Sequence, residues 1–416
     1  MALVEAPQSL DTYAERVRSI LPRLACFDAA DYLALHTDLA AIDPYRHFSE
    51  HGVWEGRSCI TPERLTAKLS RATALATLPA LDVDVLERAY RAALSTSAII
   101  HLPAKPSAPE RRIAERLTAA LVAVGVDVPI HEGAPAPGTV GAIIIHPERQ
   151  FTGERDGLDL GCLSTALVVV SGSPDQADFR ERLPYLLGAA GVLAMESETY
   201  VLCQDAGIPV VWLGALPDAA PELRQPTNHP LYYGLGRAVR AASVPHAWRD
   251  RPIDVLAIEA ASPARAAAWA RMAEGLTRCK CVVYQPPADE AVNGEEEGVL
   301  RRYLYARSKI VLHLHASAPS ALSSALVAEV AAAGAVIVSE PASPHLLLKP
   351  ERHYFEASAR RMPTLIDRLM SEEEGTERVA AAIGASQRAL AEVFDLEVIG
   401  LAMVDLLSQA KGATHE

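Results

Sequence analysis

The sequence predicts an α/β protein in which a helical N-terminal segment precedes two β/α domains that face a cleft. Three observations support this fold class. Apolar residues recur at a spacing of three or four up to about residue 93, which is typical of amphipathic helices. From residue 97 onward, short runs rich in Val and Ile alternate with helical stretches, as in parallel strands covered on both faces. This alternation stops in a segment rich in Pro and polar residues, 216–230, and then starts again.

Length, charge and cysteine usage narrow the class of protein. The chain has 416 residues and a formal net charge of −13, and half of its residues are hydrophobic. At about 150 residues per domain this length predicts two or three domains, and the apolar content excludes a largely disordered chain. The acidic balance disfavours binding to nucleic acid. We expect no transmembrane segment and no secretory signal, and six scattered cysteines favour a reducing, cytoplasmic location.

The helical segment is predicted over residues 1–93, with Glu, Arg and Ala between the apolar positions. Its four predicted helices cover residues 10–24, 29–41, 62–78 and 81–94.

The first β/α domain is predicted over residues 94–245. Its predicted strands cover residues 97–104, 126–131, 141–147, 165–174, 192–197 and 208–214. The helix predicted over 109–125 has Pro109 in its first turn and ends at Gly125, and a second helix is predicted over 178–191. Glu196 and Glu198 are expected in a solvated loop.

The second β/α domain is predicted over residues 246–416 and ends in a helical tail. Its predicted strands cover residues 252–261, 280–287, 309–316 and 335–341. Its predicted helices cover residues 262–276, 294–308 and 323–334. Ser262 is the expected N-cap of the first of these helices, with Pro263 at its first position. The alternation of strands and helices in each half therefore predicts a Rossmann-like unit.

The stretch 27–57 carries the most distinctive motif of the chain. It resembles a short repeat found beside many bacterial glycosyltransferase domains. The matching residues are Phe27, Asp28, Tyr32, Leu33, Asp38, Leu39, Asp43, Pro44, His47, Phe48, Gly52, Glu55, Gly56 and Arg57. We predict a small helical hairpin in which Asp28 caps one helix and Asp43-Pro44 begins the next. The sequence leaves two roles open for this hairpin. It is either an accessory module that docks a protein partner or a structural unit in which His47, Trp54 and Arg57 are internal.

The second β/α half resembles the nucleotide-sugar-binding domain of GT-B glycosyltransferases with a family 1/4-like C-terminal domain. The resemblance covers about residues 252 to 400, with 254–265 similar to the first strand and loop. Within 308–358 and just beyond it, the matching residues are Lys309, Ile310, Leu312, His315, Ala333, Gly334, Val338, Ser339, Glu340, Phe355 and Pro363. The resemblance implies a GT-B-like fold and transfer of a sugar from a nucleotide-sugar to a hydroxyl of a protein or glycan acceptor.

Such an enzyme holds the diphosphate of its donor with helix N-termini and basic side chains, so no obligatory metal is expected. The phosphate candidates lie where helices or loops follow strands: Ser262, Arg265, Ser317 and Ser320. Glu340 is the candidate for the ribose hydroxyls, and Glu329 is a second one. The resemblance adds His315 and Ser339 to the donor-binding residues.

Two histidines that end strands of the first domain, His101 and His146, are the candidate catalytic bases for an acceptor hydroxyl. His313 and His315 share one face of a strand, a spacing that suits half of a metal site, yet the sequence offers no third ligand. Cys279-x-Cys281 likewise has no second cysteine pair. The sequence therefore predicts no metal site.

Some positions depart from the GT-B pattern and keep a second hypothesis open. Glu259 stands where a small loop containing glycine is common, and it would repel a diphosphate. The pattern also has an arginine where this chain has Ser323, Ser324 and Ala325, and an asparagine where it has His313. The alternative is therefore a catalytically inactive glycosyltransferase-like protein that binds a partner through its helical segment.

Overall fold

The fold is taken from a computed structural model, which describes residues 10–39, 42–78, 83–94, 96–136, 139–151, 160–176, 178–214, 225–241, 247–259, 261–286, 295–316 and 322–412. The α-helices in these ranges are α1 (Leu10–Ile20), α2 (Ala29–Leu35), α3 (Pro44–His47), α4 (Pro62–Leu75), α5 (Val83–Ala93), α6 (Ala108–Ala123), α7 (Pro147–Gln150), α8 (Leu160–Thr165), α9 (Phe179–Gly188), α10 (Ser197–Ala206), α11 (Pro230–Gly234), α12 (Arg237–Ala241), α13 (Pro263–Met272), α14 (Glu295–Tyr305), α15 (Ser324–Ala332), α16 (Met362–Ser371), α17 (Glu373–Val393) and α18 (Leu396–Gly412). The strands are β1 (Ile99–Leu102), β2 (Ile130–Glu132), β3 (Ala142–Ile145), β4 (Leu167–Val170), β5 (Gly191–Ala194), β6 (Val210–Trp212), β7 (Ile253–Ile258), β8 (Cys281–Tyr284), β9 (Ser308–His313), β10 (Val336–Ser339) and β11 (Phe355–Glu356).

The chain forms two compact units. Unit 1 contains Met1–Leu216 and Phe394–Glu416, and unit 2 contains Pro217–Val393. This division differs from the predicted boundaries, because the helical segment shares a unit with the first sheet and because the last helix leaves the second half. Unit 2 also begins before residue 246, since the 225–241 segment packs on α14. There His229 Nε2 lies 3.1 Å from Glu297 Oε2, and Tyr303 Oη donates to the Val239 carbonyl at 3.3 Å.

The sheet of unit 1 is parallel and has the strand order β2-β1-β3-β4-β5-β6. The residues of β3, β4 and β5 are all buried. Continuous runs such as Ala142–Ile145 are apolar because helices cover both faces of a parallel sheet. Each strand overlaps its predicted range, and the largest differences are four residues, at the start of β2 and at the end of β4.

The 27–57 stretch folds as the predicted helical hairpin. The Asp28 carboxylate caps α2 by accepting hydrogen bonds from the Ala30 and Asp31 amides, and Asp43 caps α3 in the same way. Tyr32 Oη lies 2.9 Å from His47 Nδ1. A Cβ added at Gly52 would lie 2.2 Å from the Tyr32 hydroxyl oxygen, so only glycine allows this close approach.

The hairpin also packs on the sheet-bearing part of unit 1. The Trp54 ring lies 5.0 Å from that of Tyr13 and 6.3 Å from that of Tyr185 on α9. Tyr13 Oη donates to the Pro184 carbonyl at 2.9 Å. Arg57 pairs with Asp38 at 3.0 Å. These contacts favour a structural role for the hairpin within unit 1.

The last helix completes unit 1. α18 packs against α5, α6 and β6, and its buried side chains include Leu401, Met403, Val404 and Leu407. A Cβ at Gly400 would lie 2.1 Å from the Ala120 carbonyl oxygen, so α18 runs very close to the backbone of α6. The predicted helical tail is therefore split, with α16 and α17 packed in unit 2.

The sheet of unit 2 is parallel and has the strand order β11-β10-β9-β7-β8. Its core joins the central strands to α13, α16 and α17, with Met272, Met362 and Ile366 fully buried. Ser262 caps α13 as expected, because its hydroxyl accepts a hydrogen bond from the Arg265 amide at 3.1 Å. The predicted fold class of two Rossmann-like β/α units after a helical segment is confirmed by the two sheets.

One prediction for unit 1 was wrong. Glu196 and Glu198 do not lie in a solvated loop, because α10 begins there and Glu198 is buried in its first turn. The segment after Glu196 is buried almost throughout, so it lacks the alternation of polar and apolar residues that reveals a surface helix.

The described helices include none that is both long and apolar enough to cross a membrane.

Candidate functional site

The site residues of unit 2 lie at the point where the sheet reverses its winding. From β7 the chain crosses to β8 on one side, and from β9 it crosses to β10 on the other. Open α/β sheets bind ligands at such a switch point, beyond the carboxyl ends of the strands. Glu259 directly follows β7, Leu314 and His315 follow β9, and Glu340 follows β10. Neighbouring parallel strands therefore bring these residues to one edge.

Glu259 is the centre of this edge. Its Oε1 accepts a hydrogen bond from the Leu314 amide at 2.5 Å, and its Oε2 lies 3.2 Å from Arg265 Nε. Arg265 Nε also donates to the Leu314 carbonyl at 2.9 Å. The Glu259 side chain is only 10% exposed. A carboxylate of the protein thus contacts both Arg265, one of the predicted phosphate candidates, and a neighbouring backbone amide.

Burial raises the pKa of Glu259 to about 7, and the negative charge of Glu340 acts in the same direction. The Leu314 amide and the Arg265 guanidinium oppose this shift without cancelling it. Glu259 therefore changes charge near neutral pH.

The other predicted donor residues of unit 2 form a second set of contacts. The Glu340 carboxylate accepts a hydrogen bond from the His315 amide at 3.1 Å, and the His315 ring contacts the Pro341 carbonyl at 3.0 Å. His313 Nδ1 lies 3.2 Å from Ser339 Oγ, which also donates to the Glu340 carbonyl. Burial lowers the pKa of His313 to about 3, and the neighbouring His315 and Arg265 add to the effect, so this imidazole is neutral.

The structure brings Arg265, His315, Ser339 and Glu340 to the same edge of the sheet, with Ser262 at the start of α13. Ser317 and Ser320 lie outside the described residues. Where the GT-B pattern has an arginine, Ser324 is buried, and its hydroxyl lies 3.0 Å from His345 Nε2.

Unit 1 has the same kind of switch point, between β1 and β3. His101 lies within β1 and opposite Ile144 of β3. Its Nδ1 lies 3.2 Å from the Gly133 carbonyl oxygen, and its Nε2 is buried without a hydrogen-bond partner among the described residues. Burial lowers the pKa of His101. A buried Nε2 gives it little access to an acceptor.

His146 follows β3 and is held in a hydrogen-bonded chain. Its backbone is left-handed, with φ 52°, which is uncommon for a residue other than glycine and is often found at functional sites. Its Nδ1 lies 3.0 Å from Glu148 Oε1, to which Arg182 Nε donates at 2.9 Å. Its Nε2 lies 3.3 Å from the Ser171 hydroxyl oxygen, just after β4.

The charge of Glu148 is fixed by these partners. Burial alone would raise its pKa, but hydrogen bonds from His146 and Arg182 outweigh burial, and the pKa of Glu148 is lowered. An ionised Glu148 holds the proton of the imidazole on Nδ1 and leaves Nε2 free to accept one.

Sequence reasoning found His146 but missed Glu148, Ser171 and Arg182. Two signals were readable. Glu148 follows His146 by two residues across a proline, and Ser171 lies near the end of the next predicted strand. Arg182 could not have been found in this way, because it comes from the middle of α9.

Among the described residues no group of three or more His, Cys, Asp or Glu side chains is arranged to hold a metal ion. The prediction that no metal is required stays a prediction.

No protein-family model matches the chain, and no sequence of a curated protein does. Among solved structures, HepE (Alr3699) of Anabaena in complex with UDP-glucose is 12% identical, with a TM-score of 0.44, over 74% of this chain and 99% of that one. A glycosyltransferase of Rickettsia africae is 12% identical, with a TM-score of 0.44, over 77% and 99%. AviGT4, a glycosyltransferase of avilamycin A biosynthesis, is 15% identical, with a TM-score of 0.39, over 76% and 98%.

Proposed function

We propose that the chain is a glycosyltransferase that moves a sugar from a nucleotide-sugar to a hydroxyl group of a protein or glycan acceptor. The observation that carries the proposal is the edge of unit 2 at its switch point. There Arg265, the Leu314 amide and the start of α13 lie together beside the carboxylate of Glu340, which supports their use as an anion-binding set. This is the half of the chain whose sequence resembles a nucleotide-sugar-binding domain.

The donor is held by unit 2 without an obligatory metal. The Arg265 guanidinium and the amides at the start of α13 bind the diphosphate, whose negative charge grows as its bond to the sugar breaks. Glu340 accepts hydrogen bonds from the ribose hydroxyls. Glu259 must move away or be protonated for the diphosphate to reach Arg265.

Unit 1 supplies the base. The acceptor oxygen forms a bond to the anomeric carbon while the bond between that carbon and the diphosphate breaks. His146 Nε2 takes the proton of the acceptor hydroxyl, and Glu148 stabilises the imidazolium that results. Arg182 holds the Glu148 carboxylate in place.

Calorimetric titration of the full chain with UDP-, GDP-, dTDP- and CMP-sugars tests the proposal. We expect one class to bind, and Arg265→Ala to weaken its binding about tenfold or more, because a charged hydrogen-bond donor is lost. Arg271→Ala is the matched control, since Arg271 is an exposed residue of the same helix. Folded protein that gives no heat with any donor, at pH values on either side of the Glu259 pKa, would contradict the proposal.

A second candidate function is favoured by Glu259 itself. Because this carboxylate occupies the anion-binding set, the chain could be a glycosyltransferase-like protein without activity that serves as a binding subunit for a protein partner. Glu259→Gln and Glu259→Ala separate the two functions. If the variants bind a nucleotide-sugar but turn over none with any acceptor, and the wild type does neither, the second candidate stands.

We further propose a cytoplasmic location. All six cysteines are free thiols, and the Cys59 thiol donates to the Cys26 carbonyl at 2.9 Å without a disulfide between the two residues. Unpaired neighbouring thiols suit a reducing compartment.

A further inference from the structure

A cavity of about 370 Å³ lies in unit 1 between the N-terminal hairpin and α9. Its volume falls within the range of small-molecule sites, about 300–1,000 Å³. The hairpin contributes Trp54 and Glu55, and the sheet-bearing part contributes Glu148, Arg180, Glu181 and Tyr185. The distinctive end of the 27–57 motif thus forms one wall of a cavity, and the residue that orients His146 lies in the other.

The aromatic rings of this cavity are fixed in place. Trp54 and Tyr185 contact each other at 6.3 Å with nearly perpendicular planes. Tyr13 supports the Trp54 ring from one side at 5.0 Å, and Phe151 stacks on Tyr185 at 5.9 Å. Rings that are already ordered bind a ligand without a further entropy cost for the side chains.

The polar groups of the cavity are balanced in charge. Glu148 is paired with Arg182 at 2.9 Å, and Glu55 with Arg57 at 2.5 Å. Glu181 and Arg180 are neighbours at the exposed part of the lining. Two of the three lining carboxylates are thus paired with arginines that lie outside the lining, and the charges of Glu181 and Arg180 offset each other, so the lining favours an uncharged ligand.

An uncharged saccharide matches this combination. Its C–H faces pack on aromatic rings, and its hydroxyls donate to carboxylates and accept from a guanidinium. We propose that the cavity between the hairpin and α9 binds an uncharged saccharide. The inference deepens the proposed function, on which the role of that saccharide as the acceptor rests. It also gives the 27–57 motif a task in ligand binding.

The test is saturation-transfer NMR on the full chain with methyl glycosides of glucose, galactose, mannose and N-acetylglucosamine, and no donor present. Glucose 6-phosphate and glucosamine are the anionic and cationic comparisons. We expect at least one uncharged glycoside to bind, and Glu181→Gln to weaken that binding about fivefold, since an ionised acceptor becomes a neutral one. Trp54→Phe keeps an aromatic ring in the wall of the cavity, so it should weaken glycoside binding less than Trp54→Ala does.

Tyr233→Ala is the matched control, because Tyr233 is an aromatic residue of unit 2 with 63% exposure. Thermal unfolding of Trp54→Ala shows whether that variant is folded, and Glu181→Gln keeps the test valid if it is not. Failure of every uncharged glycoside to bind, equal binding by wild type and Glu181→Gln, or a preference for either charged sugar would overturn the proposal. Donor titration is a separate measurement. The cavity proposal can therefore be refuted while the transferase proposal stands, and the transferase proposal can be refuted while the cavity proposal stands.

Discussion

Replacing Glu259 by Gln removes a buried carboxyl that changes charge near neutral pH. Its pKa rises from 4.5 in the unfolded chain to about 7 in the folded protein, mainly because the side chain is buried. A carboxyl with a raised pKa binds its proton more readily in the folded state. The folded state therefore loses stability as the pH rises from 4.5 to about 7, and the full loss is present above that pH.

The size of the effect follows from the shift. A rise of this extent corresponds to about 3 kcal/mol in the free energy of unfolding, as an upper value for the difference between acidic and alkaline pH. For a unit of this size, 3 kcal/mol corresponds to roughly 6–12 °C in Tm. The Glu259→Gln variant lacks the titrating group, so its Tm should exceed that of wild type by several degrees at pH 8 and by much less at pH 5.

Differential scanning calorimetry at pH 5, 6, 7 and 8 measures this difference on the transition of unit 2. Glu392→Gln is the control, because Glu392 is exposed near the end of α17 in the same unit. A Tm difference between Glu259→Gln and wild type that stays constant over this pH range would refute the reasoning. It would mean that Glu259 keeps one charge state throughout.

Three further predictions concern the folding of each unit and are measured by calorimetry. Gly214→Ala should lower the stability of unit 1 by about 1–3 kcal/mol, because a Cβ there would lie 2.0 Å from the Phe394 ring. Gly125→Ala is the control, since Gly125 lies in unit 1 and also has a positive φ but has open space around it. Arg251→Leu should destabilise unit 2 by about 3 kcal/mol or more, since the buried guanidinium donates to three backbone carbonyls. Truncation after Val393 should abolish the transition of unit 1 and keep that of unit 2, and survival of both would show that α18 is dispensable.

Local patterns in the sequence were enough to predict most of the fold. Runs of branched apolar residues predicted strands such as Ala142–Ile145, and Ser262 with Pro263 predicted the start of α13. The partner of α18 could not be predicted, because an apolar helix face shows that burial is needed and not which surface provides it. Helix α10 was missed because it is buried almost throughout and shows no alternation of polar and apolar residues.

The candidate site was predicted only in part, because its contacts join distant segments. Arg265 was found from its position at the helix start after a predicted strand, and Glu340 from its position at the end of another. The role of Leu314 was not found, because a backbone amide has no signature in the sequence. Its contact with Glu259 spans 55 residues, and it depends on β7 and β9 being neighbours in the sheet.

Each unit places a carboxylate and a guanidinium near its switch point, and the two carboxylates behave in opposite ways. Glu148 receives hydrogen bonds from both His146 and Arg182, which lower its pKa despite burial. Glu259 receives one backbone hydrogen bond and lies 3.2 Å from Arg265, and burial prevails. A Glu148 with a lowered pKa suits the task of orienting a base, whereas Glu259 can move away from Arg265 and the Leu314 amide when it is protonated. Donor affinity should therefore fall about tenfold for each pH unit above 7 in wild type. It should stay constant in Glu259→Gln, since the diphosphate of a nucleotide-sugar has no titrating group in this range. A parallel fall in both proteins would exclude Glu259 as the occupant that limits donor binding.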